Sequence, residues 1–233
     1  MAGWQRGPGA GLIAHQSCHH RAAALKTVVV YVHGLWFSGY EAVLLRPRLA
    51  HALDAELRVF AYHSVTETIT ANAAALGQYL ATIRCDTLHL VGHSMGGVII
   101  FNLFQKPVEL APGRILLLGS PLQGSEAARA LARLPFGDAM LGRGIAEQVL
   151  NAPSRHWDGA RDLGIIAGSA SFGLGHLVKR FDAPNDGTVF VEETRLDGAR
   201  DHLVLPVTHA GLLLSPEVAR QGAEFLLRGR FAR

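Results

Sequence analysis

The sequence predicts an α/β fold built on a mostly parallel central sheet with helices on both faces, and three observations carry that expectation. Short runs rich in β-branched residues alternate with segments of helical period. The first such run, Thr27 to Val32 (TVVVYV), is apolar on both faces, as a strand buried inside a parallel sheet must be. The pentapeptide Gly92-His93-Ser94-Met95-Gly96 stands where one of these strands gives way to an apolar helix.

In chain order, the strand at Thr27 to Val32 stops at His33-Gly34. Tyr40 to Glu56 follows at roughly helical spacing, with Pro47 marking a break or a helix start, and Leu57 to Tyr62 reads as a second strand. Glu67 to Ile83 carries Ile69, Ala73, Leu76, Leu80 and Ile83 on one stripe, the pattern of a helix with one buried face. Thr87 to Val91 is a strand, Met95 to Gln105 a helix apolar almost all round, and Gly113 to Leu118 the next strand. Between about residues 121 and 160 the pattern weakens. Ser125 to Leu134 is helix-like and is followed by Pro135, Gly137, Gly142, Gly144 and Pro153, which predicts a small cap. Leu163 to Ala167, Thr188 to Val191 and His202 to Leu205 read as three more strands. Ser215-Pro216 then starts a last helix, with Ser as N-cap and Pro at the first helical position. Residues 1–26 are expected to form an N-terminal extension and residues 27–233 a single domain.

Composition narrows the function. The chain has 233 residues, 49% of them hydrophobic and 18% charged, enough apolar material for one substantial core. Its 22 Lys and Arg are interspersed with 19 Asp and Glu, so the net charge of +3 forms no stripe that would grip nucleic acid. No Gly-rich phosphate loop with its lysine is present, which removes nucleotide chemistry. Cys18 and Cys85 are too few for a disulfide framework, and His15, Cys18, His19 and His20 have no second cluster at zinc spacing, so neither metal nor cofactor is expected. The apolar run Ala10 to Ala14 is too short for a secretory signal, and Thr87 to Gln105 is too interrupted for a membrane span; a soluble cytoplasmic protein is the expectation.

The glycines two before and two after Ser94 have a steric cause. On a sharp strand-to-helix turn they keep side chains away from neighbouring backbone and lift the hydroxyl clear of the sheet. A serine hydroxyl needs a base, and usually that base is a histidine oriented by a carboxylate. His209 lies in the loop VTHAG beyond the last strand, where active groups of a parallel sheet gather; His202, at the start of that strand, is its rival. For the carboxylate, Asp186 in Pro184-Asn185-Asp186-Gly187 is favoured, with Asp182, Asp158 and Asp162 as competitors. Backbone N–H groups of Met95, after the nucleophile, and of Leu35, after His33-Gly34, are the candidate oxyanion donors. His33 and His93 read as structural residues. Trp36, Phe37, Leu122, Leu134, Phe136, Met140 and Leu141 could line an apolar acyl pocket or simply pack under the cap.

Across most of residues 27 to 228 the chain resembles the α/β-hydrolase superfamily, and within it small bacterial lipases, esterases and inositol-deacylase-like hydrolases. The segments that carry the likeness are VVVYVHGLWFSG (28–39), HLVGHSMGG (89–97), LLLGSPLQGS (116–125), NDGTVFVEET (185–194) and VLPVTHAGLLLSPEV (204–218). The resemblance implies the α/β-hydrolase fold, with Ser94 as nucleophile, Asp186 as acid, His209 as base, and Leu35 and Met95 in the oxyanion hole. It also implies hydrolysis of a small-molecule or lipid-like ester through an acyl-enzyme. Acyl transfer, thioester cleavage or a non-catalytic binding role on the same fold are the alternatives. Many lipases of this type carry a histidine where this chain has Leu122, so their substrate preference does not transfer.

Overall fold

The computed structural model describes residues 26–137, 141–142, 155–171 and 183–233. The N-terminal residues 1–25, Cys18 included, as well as Met140 and Asp182, lie outside the described residues. The strands are β1 (Thr27–Val32), β2 (Glu56–Phe60), β3 (Thr87–His93), β4 (Ile115–Leu118), β5 (Leu163–Gly168) and β6 (Asp201–Leu205). The helices are α1 (Leu45–Leu53), α2 (Ile69–Ala81), α3 (Met95–Leu103), α4 (Glu126–Ala132), the short α5 (Gly211–Leu214) and α6 (Pro216–Arg228). The six strands form one sheet in the order β2-β1-β3-β4-β5-β6, and every pairing is parallel.

The period-2 alternation of the strands sorts their side chains into two apolar clusters. Val28, Val30, Val32, Leu88 and Leu90 pack with Leu76 and Leu80 of α2 and Val98 and Ile99 of α3. Val29, Tyr31, Val91, Leu116 and Leu118 pack with Leu45 and Leu49 of α1 and Val218 and Phe225 of α6. A sheet covered on both faces explains why β1 and β4 are apolar at almost every position and why β3 is buried from Leu88 to His93. The cap read at Ser215 is present, and Ser125 adds a second. The Ser215 hydroxyl accepts from Val218 N–H with Pro216 opening α6, and the Ser125 hydroxyl accepts from Ala128 N–H at the start of α4.

Three expectations need correction. The segment 40–56 is split into a 3-10 turn, Tyr40–Ala42, and α1; Pro47 sits in the first turn of α1, where its missing N–H costs nothing. The second strand runs Glu56–Phe60, starting one residue and ending two residues before the expected Leu57 to Tyr62. Thr188 to Val191 is not a strand of the sheet: the Asp186 carboxylate takes the N–H groups of Thr188 and Val189, and Val189 O takes the Asp186 N–H, so these backbone groups close a local turn. β-Branched residues there reported burial rather than pairing.

Because all six strands run the same way, β1, β3, β4, β5 and β6 deliver their following loops to one edge. His33-Gly34, Ser94, Gly119 and His209 all lie in these loops. No described helix is long and apolar enough to cross a membrane.

Burial pushes the imidazoles of His33, His93 and His202 below their ordinary value and that of His89 down to about 4. Below pH 6.5 the unfolded chain binds protons that these folded imidazoles resist, His89 down to about 4. Their stabilisation is therefore complete above pH 6.5 and drains away as pH falls. Glu193, raised by burial to about 7, has the opposite sign but is one group against four. The thermal midpoint should fall steadily from pH 7 to pH 4.5; a midpoint that stays level or rises would contradict neutral buried histidines.

Candidate active site

Ser94 lies between the last residue of β3 and the first of α3, with φ 53° and ψ −124°. A non-glycine residue held there costs about 1–3 kcal/mol, which surrounding contacts must offset. Two hydrogen bonds hold the turn: Ser94 N–H donates to Leu118 O at 2.9 Å, and Gly97 N–H donates to Ser94 O at 3.1 Å. The flanking glycines permit the close approach. A Cβ on Gly96 would lie 2.2 Å from Val32 O, and one on Gly92 would lie 2.7 Å from Gly97 Cα. The glycine spacing visible in the sequence therefore reports contact between α3 and the ends of β1 and β3.

Asp186 and His209, 23 residues apart, meet at 2.7 Å between Oδ2 and Nδ1. Asp186 is only 1% exposed, yet its carboxylate is satisfied: Oδ1 accepts from Thr188 N–H at 2.9 Å and from Val189 N–H at 2.7 Å. The backbone adds a second tie, His209 N–H to Asp186 O at 2.8 Å. With a carboxylate on Nδ1, the neutral imidazole carries its proton there and keeps an unprotonated Nε2 able to accept one. The His209 side chain remains 16% exposed.

His93, the residue before Ser94, anchors this pair to the elbow. Its ring packs against that of His209 at a centroid distance of 4.6 Å, and its Nε2–H donates to His209 O at 3.3 Å. His93 is fully buried, which keeps it neutral. Gly119, after β4, provides the remaining space. A Cβ there would lie 2.6 Å from Leu212 Cδ1, 3.0 Å from Asp186 Oδ2 and 3.2 Å from His209 Nδ1, on a backbone at φ +54°. Gly119→Ala should therefore force Asp186 and His209 apart. The expected result is a kcat lowered more than tenfold and a fold weakened by about 1–3 kcal/mol in urea melts; unchanged kcat would refute this packing.

The loop after β1 is braced on its far side. His33 Nδ1–H donates to Gly34 O at 2.8 Å, Tyr62 N–H donates to His33 Nε2 at 3.3 Å, and the two rings stack at 4.2 Å. Tyr62 Oη–H donates to His33 O at 2.8 Å. Trp36 N–H is taken by Ser64 Oγ at 3.2 Å and Phe37 N–H by Gly34 O at 3.4 Å, while Leu35 N–H has no partner among the described residues. Met95 opens α3, so its N–H has no intrahelical acceptor. Gly34 brings the loop against the elbow, a Cβ on it lying 3.2 Å from Ser94 Cβ.

The competing residues are engaged elsewhere. His202, on β6, meets Thr194 Oγ1 at 2.9 Å. Asp158 accepts from Ala160 N–H, and Asp162 pairs with Arg114 and Arg200. Trp36 (52% exposed), Phe37, Leu134 and Phe136 (85%) present apolar surface. Leu122 and Leu141 are instead buried in the α2–α3 cluster and fill core, not an open pocket. Gly119 and the braces at Tyr62 and Ser64 went unnoticed in the sequence. The strand-end glycine of LLLGSP was a visible signal for the first, whereas Tyr62 and Ser64 carry none. Two cavities, of about 540 and 410 Å³, lie away from this edge, around Phe104 and Arg161 and around Thr27, Thr87 and His89. Among the described residues no group of three His, Cys, Asp or Glu gathers as metal ligands would.

Known proteins agree with this architecture. A lipase from Bacillus licheniformis, BlEst2 in its propeptide form, superposes with a TM-score of 0.58 at 19% identity, covering 89% of this chain and 51% of that one. A metagenomic carboxyl esterase, MGS0156, gives 0.57 at 19% identity over 80% of this chain and 65% of its own. An alpha/beta hydrolase fold protein from Chitinophaga pinensis gives 0.57 at 13% identity over 85% and 89%. The chain thus spans about half to two thirds of the lipase and the esterase, and at these identities the likeness is one of fold. A comparison with curated protein sequences returned no match. The family model described as "Alpha/beta hydrolase family" matches residues 29–229, nearly the whole described domain, and the chain belongs to that family.

Proposed function

We propose that the protein is a serine hydrolase that cleaves carboxylic esters through an acyl-enzyme. The observation that carries this reading is the His209–Asp186 pair, 2.7 Å apart and anchored through His93 to the strained turn that presents Ser94. His209 Nε2 takes the Ser94 proton as Oγ attacks the ester carbonyl; the N–H groups of Leu35 and Met95 stabilise the oxyanion. Collapse of the tetrahedral intermediate breaks the bond to the alcohol, which leaves with the proton from His209. Water, deprotonated by the same nitrogen, then attacks the acyl-Ser94 carbonyl; the acid departs and the serine recovers its proton. Asp186 keeps the imidazole in its Nδ1–H tautomer and stabilises the cation that forms twice per turnover.

Exposed Trp36 and Phe37 beside the Leu35 donor favour apolar acyl groups. Each buried methylene contributes about 0.8 kcal/mol, so kcat/KM on p-nitrophenyl esters should climb up to about fourfold per added carbon beyond acetate until the available surface is covered. A wild-type enzyme inactive from acetate to palmitate would overturn the ester reading, and a rate independent of acyl length would remove the role given to Trp36 and Phe37.

A further inference from the structure

Glu193 is a buried carboxylate that the chemistry above leaves unused. It follows Asp186 by seven residues, in the 3-10 turn Glu192–Thr194, and is 7% exposed. Its Oε1 accepts the N–H of Glu126, the first residue of α4, at 2.5 Å, and its Oε2 accepts the N–H of Phe190 at 2.9 Å. Its backbone carbonyl accepts Gln123 N–H at 2.9 Å, and Gln123 Nε2 reaches across to Arg195 O at 3.1 Å. Two chain segments converge on this one side chain. The first, 119–126, starts at Gly119 against Asp186 and His209; the second, 186–194, starts at Asp186 itself.

The residue type is dictated by the donors. Two N–H groups from separate loops need two acceptor oxygens, and a glutamine amide would turn a donor toward one of them. The fold accepts a cost for this arrangement: burial pushes the carboxyl up to about 7, against the two N–H bonds and Arg129, which pull it down, while Glu126 pushes it further up.

Resting on the triad reading above, we propose that Glu193 is a positioning residue whose carboxylate fastens the start of α4 to the Asp186 loop and thereby holds Asp186 at its hydrogen-bonding distance from His209. It acts through Asp186, not on the substrate.

The test uses the full chain carrying Glu193→Gln, Glu126→Pro or Glu126→Ala. Proline lacks the N–H that Glu193 accepts, yet it is tolerated at the first helical position, and Ser125 before it already has the extended backbone that proline demands (φ −141°, ψ 115°). Glu126→Ala keeps the N–H and removes the side chain with its half-exposed pair to Arg129, a loss it shares with the proline variant, so the two differ at the N–H that Glu193 accepts. In Glu193→Gln, kcat should fall about tenfold with KM within twofold. The low-field Nδ1 proton of His209 should broaden or exchange faster, as should the amides of 186–194. Glu126→Pro should reproduce these effects and Glu126→Ala should match the wild type. A Glu193→Gln protein that melts earlier but keeps its kcat, its His209 proton and its amide protection would overturn the proposal, as would equal behaviour of Glu126→Ala and Glu126→Pro. If Glu193→Gln fails to fold, the Glu126 pair decides. Should the wild type turn over no ester, the hydrolase reading falls, while the proton and amide readouts still decide whether Glu193 holds the Asp186 loop.

Discussion

Ser94→Ala is expected to lower ester turnover by about four orders of magnitude or more, because Ser94 supplies the hydroxyl that the strained turn presents and that the His209–Asp186 pair is proposed to activate. The same position predicts a second, opposite effect on stability. Ser94 is held at φ 53° and ψ −124°, a conformation that alanine shares the strain of adopting and glycine does not. Ser94→Gly should therefore be as inactive as Ser94→Ala but more stable than it by about 1 kcal/mol, once the greater freedom of glycine in the unfolded chain is subtracted from the relieved strain. For a chain of this size the difference is about 2–4 °C in Tm. Calorimetry of the two variants measures it, and a glycine variant less stable than the alanine one would show that the turn stores no strain.

Asp186→Asn should cost nearly as much, and for a reason that geometry specifies. Oδ1 of Asp186 is held by the N–H groups of Thr188 and Val189, so an asparagine would keep its carbonyl oxygen there and turn its amide toward His209. That amide donates, so the imidazole Nδ1 would have to accept, and its proton would move to Nε2. A His209 protonated on Nε2 cannot take the Ser94 proton. Turnover at neutral pH should drop by about four orders of magnitude with the fold intact. By contrast, Asp158→Asn and Asp162→Asn should stay near wild-type activity, since Asp158 caps a local turn and Asp162 pairs with Arg114 and Arg200. Steady-state kinetics on the three variants separate them; a dead Asp162→Asn beside an active Asp186→Asn would reassign the acid.

Much of this arrangement was legible in the sequence wherever the signal is local. β1 has the boundaries read from TVVVYV, because a strand covered on both faces has no polar positions to blur its ends. The glycine spacing around Ser94 was legible because sterics within a few residues impose it. Signals failed where distant groups decide. Thr188 to Val191 has strand-like residues, but the carboxylates of Asp186 and Glu193 and the Pro184 carbonyl claim their backbone donors. Leu122 reads as a possible pocket residue and is buried in the α2–α3 cluster. Glu193 looks like one of two adjacent surface glutamates; only the meeting of residues 126 and 190 in space shows that it is buried between two donors.

The most direct measurement of the central claim is covalent labelling of the folded wild-type protein with a fluorophosphonate, followed by peptide mass spectrometry. The probe reacts only with a serine whose proton is withdrawn and whose developing oxyanion is stabilised. The account predicts stoichiometric modification on Ser94, abolished in Ser94→Ala and greatly slowed in His209→Ala. Failure of the folded wild type to react, or modification on a different serine, would contradict it.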